Sequence, residues 1–251
     1  MPRSGLYDSF MKRIAVVMAM SAEASPVLTA LSAEAATGVA PLVVRWFTAT
    51  RHRAEILIAL NGRDRRFGVD SIGTEPAALS TYVAIERFRP EVVISAGTAG
   101  GWEHAGGAIG DVYVSDGCAV HHDRRIALEG FREYGIGAYP VLPARQMAAT
   151  LGLKTGIVTT SNSLDENDDD RLMISASGAA VKDMEAAAVA YVCEQMSIPF
   201  MALKAITDLV DHPTATADQF NANLSMASKR LTEKLLEVLD WLIPRERGDM
   251  S

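Results

Sequence analysis

The stretch VVISAGTAGG (92–101) decides the fold class. Residues 92–97 form an unbroken apolar run that ends in glycine, and such a run is typical of a strand buried on both faces of a sheet. Because predicted helices alternate with strands of this kind, we expect an α/β fold around a largely parallel or mixed central sheet. The further strand candidates are 14–20, 54–60, 111–116, 156–160 and 199–206.

The helices are predicted from apolar periodicity and from proline and capping signals. Thr216 and Gln219 have the spacing of a capping box at the start of the last helix. No internal repeat or linker interrupts the chain, so we expect one domain over 1–251, with 1–12 as a loose leader and 244–251 as a frayed tail. The predicted helices cover about 23–31, 77–88, 143–151, 184–196 and 217–242.

The composition narrows the class of protein. Of 251 residues, 49% are hydrophobic and 22% are charged, and the formal net charge is −7, with no block of lysine or arginine. This profile predicts a globular protein with a sizeable core and argues against a nucleic-acid or membrane partner. Cys118 and Cys193 form no CxxC motif, which argues against a disulfide scaffold or a thiolate zinc cluster and favours a reducing, cytoplasmic location.

The apolar run at 14–20 has a second interpretation. Lys12 and Arg13 precede it in the manner of a short signal peptide. The run is equally consistent with a first buried strand, and we interpret it as that strand.

Common cofactor and metal motifs are absent from the sequence. It contains no GxGxxG, no P-loop, no GxSxG and no HExxH. His121 and His122 are adjacent, so in a strand they point to opposite faces, and no further histidine lies at ligand spacing. We therefore predict no cofactor and no metal.

Carboxylates stand beside the ends of predicted elements. Glu23 follows the first strand and Asp208 follows the last, while Asp183 and Glu185 begin a predicted helix. Each could simply cap a turn or complement a helix dipole. Ligands in open α/β sheets bind beyond the carboxyl ends of the strands, so Glu23, Glu185 and Asp208 could instead converge on one pocket. The glycines of 95–101 leave a similar choice, between a tight turn and a backbone that approaches a ligand.

Several motifs along the chain occur together in one known family. They are AMSAEA (19–24), SAGTAGG (95–101), KDMEAAAVA (182–190) and KAITDLVD (204–211), and in addition GRDRRFGVDSIGT (62–74), HDRRI (122–126) and SLD (163–165). In these motifs the chain resembles the 5′-methylthioadenosine/S-adenosylhomocysteine nucleosidases of the nucleoside phosphorylase superfamily over about 13–242, and the last three motifs resemble the plant-type branch in particular. The resemblance implies a three-layer α/β/α fold with a mixed central sheet, a homodimer, and hydrolysis of the adenine N-glycosidic bond.

The resemblance also implies roles for individual residues. Asp208 matches the general acid that protonates N7 of adenine, Glu23 the carboxylate that orients and activates water, and Glu185 the glutamate that binds ribose. Protonation makes adenine a better leaving group, and an apolar strand around Asp208 would raise its pKa as this role requires. The expected substrate-binding positions are Thr98 and Met184 beside the sugar, Leu164 and Lys182 at the adenine, and Gly100, Asp183 and Thr207.

The 5′ substituent of the substrate needs a further set of contacts. Phe131, Tyr134 and Ile136 in the tract 126–139 could form an apolar wall, and in a homodimer the partner subunit would line this part of the pocket. Asp211 is expected to be an orienting or structural group, and a cap of the turn before Pro213 is one such role.

Two positions depart from the family pattern. Ser161-Asn162 stands where members usually carry Gly-Asp, so the local loop and its base contacts are open to question. Lys204 stands where many bacterial members carry arginine, and the plant type shares the lysine.

Four interpretations of function follow. The preferred one is hydrolysis of 5′-methylthioadenosine, with S-adenosylhomocysteine left open as a second substrate. A purine nucleoside phosphorylase of the same fold would use phosphate instead of water, although Glu23 would repel that anion. A nucleosidase for another 5′-modified adenosine, such as aminofutalosine, would differ at the 5′ pocket. An inactive nucleoside-binding or storage protein would keep the fold without the chemistry.

Overall fold

The computed structural model describes residues 12–243. Residues 1–11 of the predicted leader and the predicted tail at 244–251 lie outside this range. The strands are β1 (Arg13–Met18), β2 (Glu34–Ala36), β3 (Arg45–Arg51), β4 (Ala54–Leu60), β5 (Val92–Gly101), β6 (Val112–His121), β7 (Tyr139–Pro140), β8 (Lys154–Thr160), β9 (Ala179–Asp183) and β10 (Phe200–Leu209). The helices are α1 (Ser21–Ala30), α2 (Thr74–Phe88), α3 (Phe131–Ile136), α4 (Arg145–Leu151), α5 (Asp168–Ser177), α6 (Ala186–Gln195) and α7 (Thr216–Leu242).

The described strands form one mixed sheet in the order β10-β6-β8-β9-β5-β1-β4-β3-β2, with β7 paired to β6. Strand β5 runs parallel to β1 and β10, whereas β9 and β5, and β10 and β6, are antiparallel. Because β10 pairs with both β5 and β6, the strands β5, β9, β8, β6 and β10 close into a ring, and the remaining strands extend from it as an open sheet. The predicted mixed sheet is confirmed.

Helices cover both faces of the open part of the sheet. In β1, Ile14, Val16 and Met18 pack into the core on the side of α1, α4 and α7, whereas Ala15 and Val17 pack on the side of α2 and α6. This alternation is the period-2 geometry of a strand buried on both faces. The predicted α/β/α layering is confirmed.

Strand β5 does not end in a tight turn at its glycines, which was one of the two expectations for 95–101. It pairs with β1 as far as Ser95, and at Gly100 and Gly101 it pairs with β9 instead. The glycines therefore lie within the strand, where the sheet changes from its open part to its closed part.

Strand β10 also runs further than the sequence predicts. Asp208 pairs with Gly100 and Leu209 with Gly101, after a register shift that follows Ile206. The prediction that the strand ends before Thr207 and Asp208 is therefore wrong, because the pairing with β5 continues past these polar residues.

The predicted helix start at Asp183 and Glu185 is also wrong. Asp183 is the last residue of β9, where it pairs with Thr160 of β8, and α6 begins only at Ala186. This strand has only five residues and ends in the charged pair Lys182 and Asp183, so it has no clear sequence signal.

The capping box predicted for the last helix does not form. The residue before α7 is Ala215, and no side chain caps the helix there. The Gln219 side chain instead accepts a hydrogen bond from the Leu209 N–H and donates to the Leu209 carbonyl oxygen, at 3.0 and 3.1 Å. Gln219 thereby fixes the end of β10 to the start of α7.

Between residues 12 and 243, no helix combines the length and the apolar character needed to cross a membrane.

The packing of α7 on the sheet gives a testable prediction about stability. Leu235 on α7 is fully buried, so Leu235→Ala should lower the free energy of unfolding by about 2–5 kcal/mol, because it removes apolar contacts and leaves a cavity. Leu172 on α5 is 69% exposed, and Leu172→Ala is the matched control, expected to change stability by less than about 0.5 kcal/mol. Urea unfolding of both variants measures the difference, and equal losses would contradict the described packing.

Candidate active site

A cavity of about 530 Å³ opens where β5, β9 and β10 end, and parts of α1, α7 and two loops complete its wall. Ten of the predicted site residues line it together: Glu23, Thr98, Gly100, Leu164, Lys182, Asp183, Met184, Glu185, Thr207 and Asp208. The expectation that the carboxylates converge on one pocket is therefore confirmed in its geometry.

Asp208 lies near the end of β10 with only 2% of its surface exposed. Burial raises the pKa of its carboxyl group, while the hydrogen bond from Thr207 and the charge of Lys182 oppose this rise. The Thr207 hydroxyl donates to Asp208 Oδ1 at 2.8 Å and holds the carboxyl group in place. A Cβ atom at Gly100 would lie 2.8 Å from Asp208 Oδ2, so glycine is needed there for the carboxyl group to reach this position.

Glu23 lies in the first turn of α1 and is 3% exposed. The Thr98 N–H and hydroxyl both donate to Glu23 Oε1, at 2.7 and 2.5 Å. Burial raises the pKa of Glu23, and these two hydrogen bonds and the charge of Lys204 partly offset the rise. Thr98 therefore contacts Glu23 directly, at the edge of the cavity.

Glu185 stands between β9 and α6, and the Gly73 N–H donates to its Oε1 at 3.0 Å. Burial raises the pKa of Glu185 to about 7. The charge of Lys204 and the bond from Gly73 lower it, whereas the charges of Asp183 and Glu23 raise it further. This carboxyl group therefore changes its charge near neutral pH.

Lys204 is a buried cation beside the cavity, with 1% of its surface exposed. Its Nζ lies 2.8 Å from Asp183 Oδ2 and donates to Ser95 Oγ at 3.2 Å. Burial lowers the pKa of Lys204, but the negative charges of Asp183, Glu185 and Glu23 outweigh this effect and raise it overall. The lysine therefore stays charged inside the protein.

Asp183 links this cation to the surrounding backbone. Its carboxylate accepts hydrogen bonds from the Thr160 hydroxyl at 2.5 Å and from the Ala186 N–H at 2.9 Å. The second bond satisfies an orphan donor at the start of α6. Asp183 is therefore fully engaged as a structural group, although it was predicted among the substrate-binding residues and does line the cavity.

Lys182 holds the loop on the expected adenine side of the cavity. Its Nζ donates to the carbonyl oxygens of Leu164 and Asp165, at 2.9 and 3.0 Å. Leu164 stays partly exposed at the rim, where its side chain can pack on a flat ligand. The Ser161 hydroxyl donates to the Ser163 carbonyl oxygen at 3.0 Å and stabilises the same loop.

Asp211 is a structural group, as expected, but it does not cap the turn before Pro213. Its carboxylate accepts hydrogen bonds from the Glu103 and His104 N–H groups, at 2.8 and 3.0 Å, and lies 2.7 Å from His104 Nδ1. These hydrogen bonds outweigh the effect of burial and lower the pKa of Asp211 to about 2. Asp211 therefore fastens the loop after β5.

Phe131 and Tyr134 do not belong to the cavity lining found in the described chain. Both are largely exposed on α3, with their rings 6.0 Å apart in an edge-to-face contact. The residues of the lining that sequence reasoning missed are Ala19, Met20, Arg63, Gly68, Val69, Asp70, Ile72, Ala99, Ser163 and Phe220. Most lie in irregular loops, whose contacts leave no periodic signal in the sequence.

Comparisons with known proteins agree with this geometry. Residues 13–240 match the phosphorylase superfamily. A 5′-methylthioadenosine nucleosidase of Arabidopsis thaliana is 38% identical over 242 residues, which cover 94% of this chain and 90% of the plant protein. A 5′-methylthioadenosine/S-adenosylhomocysteine nucleosidase of the same plant is 38% identical over 240 residues, 94% of either chain.

A solved structure of an Arabidopsis thaliana 5′-methylthioadenosine nucleosidase in apo form is 35% identical and superposes with a TM-score of 0.92, covering 96% of this chain and 100% of the other. The chain belongs to the phosphorylase superfamily and, within it, to the family of 5′-methylthioadenosine/S-adenosylhomocysteine nucleosidases. The predicted resemblance is confirmed, and the plant origin of these relatives agrees with its plant-type motifs.

The buried ion pair gives a second prediction. Lys204→Met should lower the free energy of unfolding at neutral pH by about 3–5 kcal/mol, because Asp183 would be left as a buried charge without its cation. Adding Asp183→Asn should recover part of the loss, since asparagine carries no charge and can still accept one of the hydrogen bonds. Urea unfolding of the single and double variants tests this, and a Lys204→Met protein as stable as the unmodified one would refute the ion pair.

Proposed function

We propose that the protein hydrolyses the N-glycosidic bond of 5′-methylthioadenosine, releasing adenine and the 5-methylthioribose. The observation that carries the proposal is the convergence of Glu23, Glu185 and Asp208 on one cavity, in a chain whose relatives are nucleosidases. S-adenosylhomocysteine, which one relative is also named for, is a second substrate to be tested.

Asp208 acts as the general acid in this proposal. Adenine leaves poorly as an anion, so a proton delivered to N7 lowers the barrier as the C–N bond breaks. The carboxyl group must be protonated to do this, and burial raises its pKa in the required direction. The Thr207 hydroxyl bonds to Oδ1, which fixes the orientation of the group.

Glu23 and Glu185 act on the sugar side. As the bond breaks, the ribose develops positive charge, which nearby carboxylates stabilise and which water then captures. Glu23 orients and activates that water, and Thr98 fixes the Oε1 atom of Glu23. Glu185 binds the ribose hydroxyls, with Met184 packing on the sugar.

In this proposal the protein acts as a single domain in the cytoplasm. The remaining contacts concern the adenine and the 5′ group of the substrate. Leu164 packs on the adenine, and the Lys182 backbone borders it. Phe131 and Tyr134 form an apolar wall for the 5′ group in the partner subunit's pocket of a homodimer. Their exposure on α3, away from the cavity of their own chain, supports this arrangement.

A purine nucleoside phosphorylase of the same fold is the alternative that one side chain favours. Arg63 lies in the lining of the cavity, and a guanidinium group can bind phosphate. Two observations weigh against it: Glu23 would repel the anion, and Arg63 donates to the Gly68 carbonyl oxygen.

Turnover in phosphate-free buffer tests the reaction directly. We expect adenine release from 5′-methylthioadenosine at the same rate with and without added phosphate, because water is the nucleophile. Adenosine, S-adenosylhomocysteine and aminofutalosine, assayed in parallel by chromatography, define the 5′ preference. Turnover only with phosphate would establish a phosphorylase. No turnover of any substrate would favour an inactive nucleoside-binding protein.

Replacing the acid tests the mechanism. Asp208→Asn should reduce kcat by about 10²–10⁴-fold, because asparagine cannot deliver the proton, while nucleoside binding measured by calorimetry persists. Asp211→Asn is the matched control, since its carboxylate holds the Glu103–His104 loop and should affect thermal stability more than turnover. Full activity in Asp208→Asn would remove this residue from the mechanism.

A further inference from the structure

Asn162 makes a pair of reciprocal hydrogen bonds with Thr74, the first residue of α2. Its Oδ1 accepts from the Thr74 N–H at 2.8 Å, and its Nδ2 donates to the Thr74 hydroxyl oxygen at 2.7 Å. The residue that precedes α2 is Gly73, which has no side chain to cap the helix. Asn162 therefore supplies the cap from a loop 88 residues away along the chain.

The same turn carries a hydrogen-bond donor to the cavity. Gly73 has a φ angle of 101°, in the region that favours glycine, and its N–H donates to Glu185 Oε1 at 3.0 Å. A Cβ atom on this residue would lie 2.7 Å from Asn162 Oδ1. The N–H of Gly73 thus faces Glu185, and the next N–H along the chain faces Asn162.

Asn162 is itself anchored. Its backbone N–H donates to Asp123 Oδ2 at 3.1 Å, and the preceding Ser161 N–H donates to the Asp183 carbonyl oxygen at 3.2 Å. The loop after β8 is therefore fixed to β9 and to the segment that follows β6, while the Asn162 side chain holds the start of α2.

We propose that Asn162 is a positioning residue, which fixes the Gly73–Thr74 turn so that the Gly73 N–H stays bonded to Glu185. The proposal rests on the proposed function, in which Glu185 binds the ribose hydroxyls. Asn162 does not contact the cavity and acts only through this turn.

The chemistry of Thr74 suits an amide at position 162. The Thr74 hydroxyl lies 3.1 Å from Glu75 Oε2 and donates to it, so its oxygen needs a donor on the other side. The Nδ2 group of asparagine is such a donor, and an aspartate is not. With aspartate at position 162, the hydroxyl could bond only one of the two carboxylates.

The consequence for Glu185 is electrostatic. The groups that face it are Lys204 on β10, Asp183 on β9 and Glu23 on α1, in addition to the Gly73 N–H. A hydrogen bond to the ionised carboxylate favours the charged form and opposes the effect of burial. Loss of the Gly73 bond should therefore raise the pKa of Glu185 above its value of about 7 and leave less of the ionised form at neutral pH.

The pH profile of Asn162→Ala in the full chain tests the proposal. We expect kcat/KM for 5′-methylthioadenosine to fall about tenfold at about pH 6, the size of effect expected for losing a hydrogen bond to a charged group. The deficit should shrink as the pH rises, because Glu185 ionises again in the variant. Asn162→Asp should show a smaller deficit, since its carboxylate can still accept from the Thr74 N–H.

Two controls separate positioning from a general loss of stability. Asn167→Ala removes the cap of α5, where Oδ1 accepts from the Asp170 N–H at 2.9 Å, and should lower Tm without moving the pH profile. Thr74→Val removes the hydroxyl partner, and its effect should not add to that of Asn162→Ala. Additive effects of the two changes would overturn the proposed link.

Amide hydrogen exchange gives a readout that does not depend on turnover. The Gly73 and Thr74 amides should exchange faster in Asn162→Ala than in the unmodified protein, while the Asp170 amide stays unchanged. If the unmodified protein cleaves no nucleoside, the proposed function fails. The exchange rates of the Gly73 and Thr74 amides then decide by themselves whether Asn162 fixes the turn. If it is active, an unmoved pH profile together with unchanged exchange at residues 73 and 74 overturns the role of Asn162.

Discussion

The contact of 2.8 Å between Lys204 Nζ and Asp183 Oδ2 connects the core of the sheet to the candidate active site. Lys204 belongs to β10, and Asp183 ends β9 and bonds both Thr160 on β8 and the first N–H of α6. Neither charge could be buried alone, because removing an isolated ion from water costs on the order of several kcal/mol in lost hydration. The pair thereby fixes the ends of β8 and β9, the middle of β10 and the start of α6 in the one arrangement that keeps both charges compensated.

The proposed reaction requires one carboxyl group to be protonated and two others to be ionised. Burial raises the pKa of all three, so burial alone cannot distinguish them. A buried lysine opposes this rise at each of them: Lys204 lowers the pKa of Glu23 and Glu185, and Lys182 lowers that of Asp208. Glu23 and Glu185 thus share one cation, the lysine in β10, whereas Asp208 is acted on by a different one.

The parts of the fold that depend on apolar patterning could be predicted from the sequence. The runs predicted at 14–20, 54–60, 92–97, 111–116, 156–160 and 199–206 coincide with β1, β4, β5, β6, β8 and β10. The signal is clearest in β1 and β4, which are largely apolar because both faces of the sheet are covered there. Strand β9 could not be predicted, because its Lys182 and Asp183 are charged residues whose burial depends on loop carbonyl oxygens and on an ion pair. The end of β10 was also predicted wrongly, because Asp208 continues the pairing with β5. The unpredicted β2, β3, β7, α3 and α5 are short or largely exposed.

The candidate site also has a part that could be predicted from the sequence and a part that could not. Its carboxylates could be named from the sequence because their motifs are contiguous, but the bond from Gly73 to Glu185 spans 112 residues and joins two loops. The Ser161-Asn162 departure could not be interpreted without that geometry. The loop itself is held by the Ser161 hydroxyl, which bonds within the loop, and by Lys182, which donates to the carbonyl oxygens of Leu164 and Asp165. The Asn162 side chain instead bonds Thr74, outside the cavity lining. Because these supports are independent, the side chain at 162 can change without altering the wall against which a base would pack, and the effect of such a change reaches the cavity through Glu185.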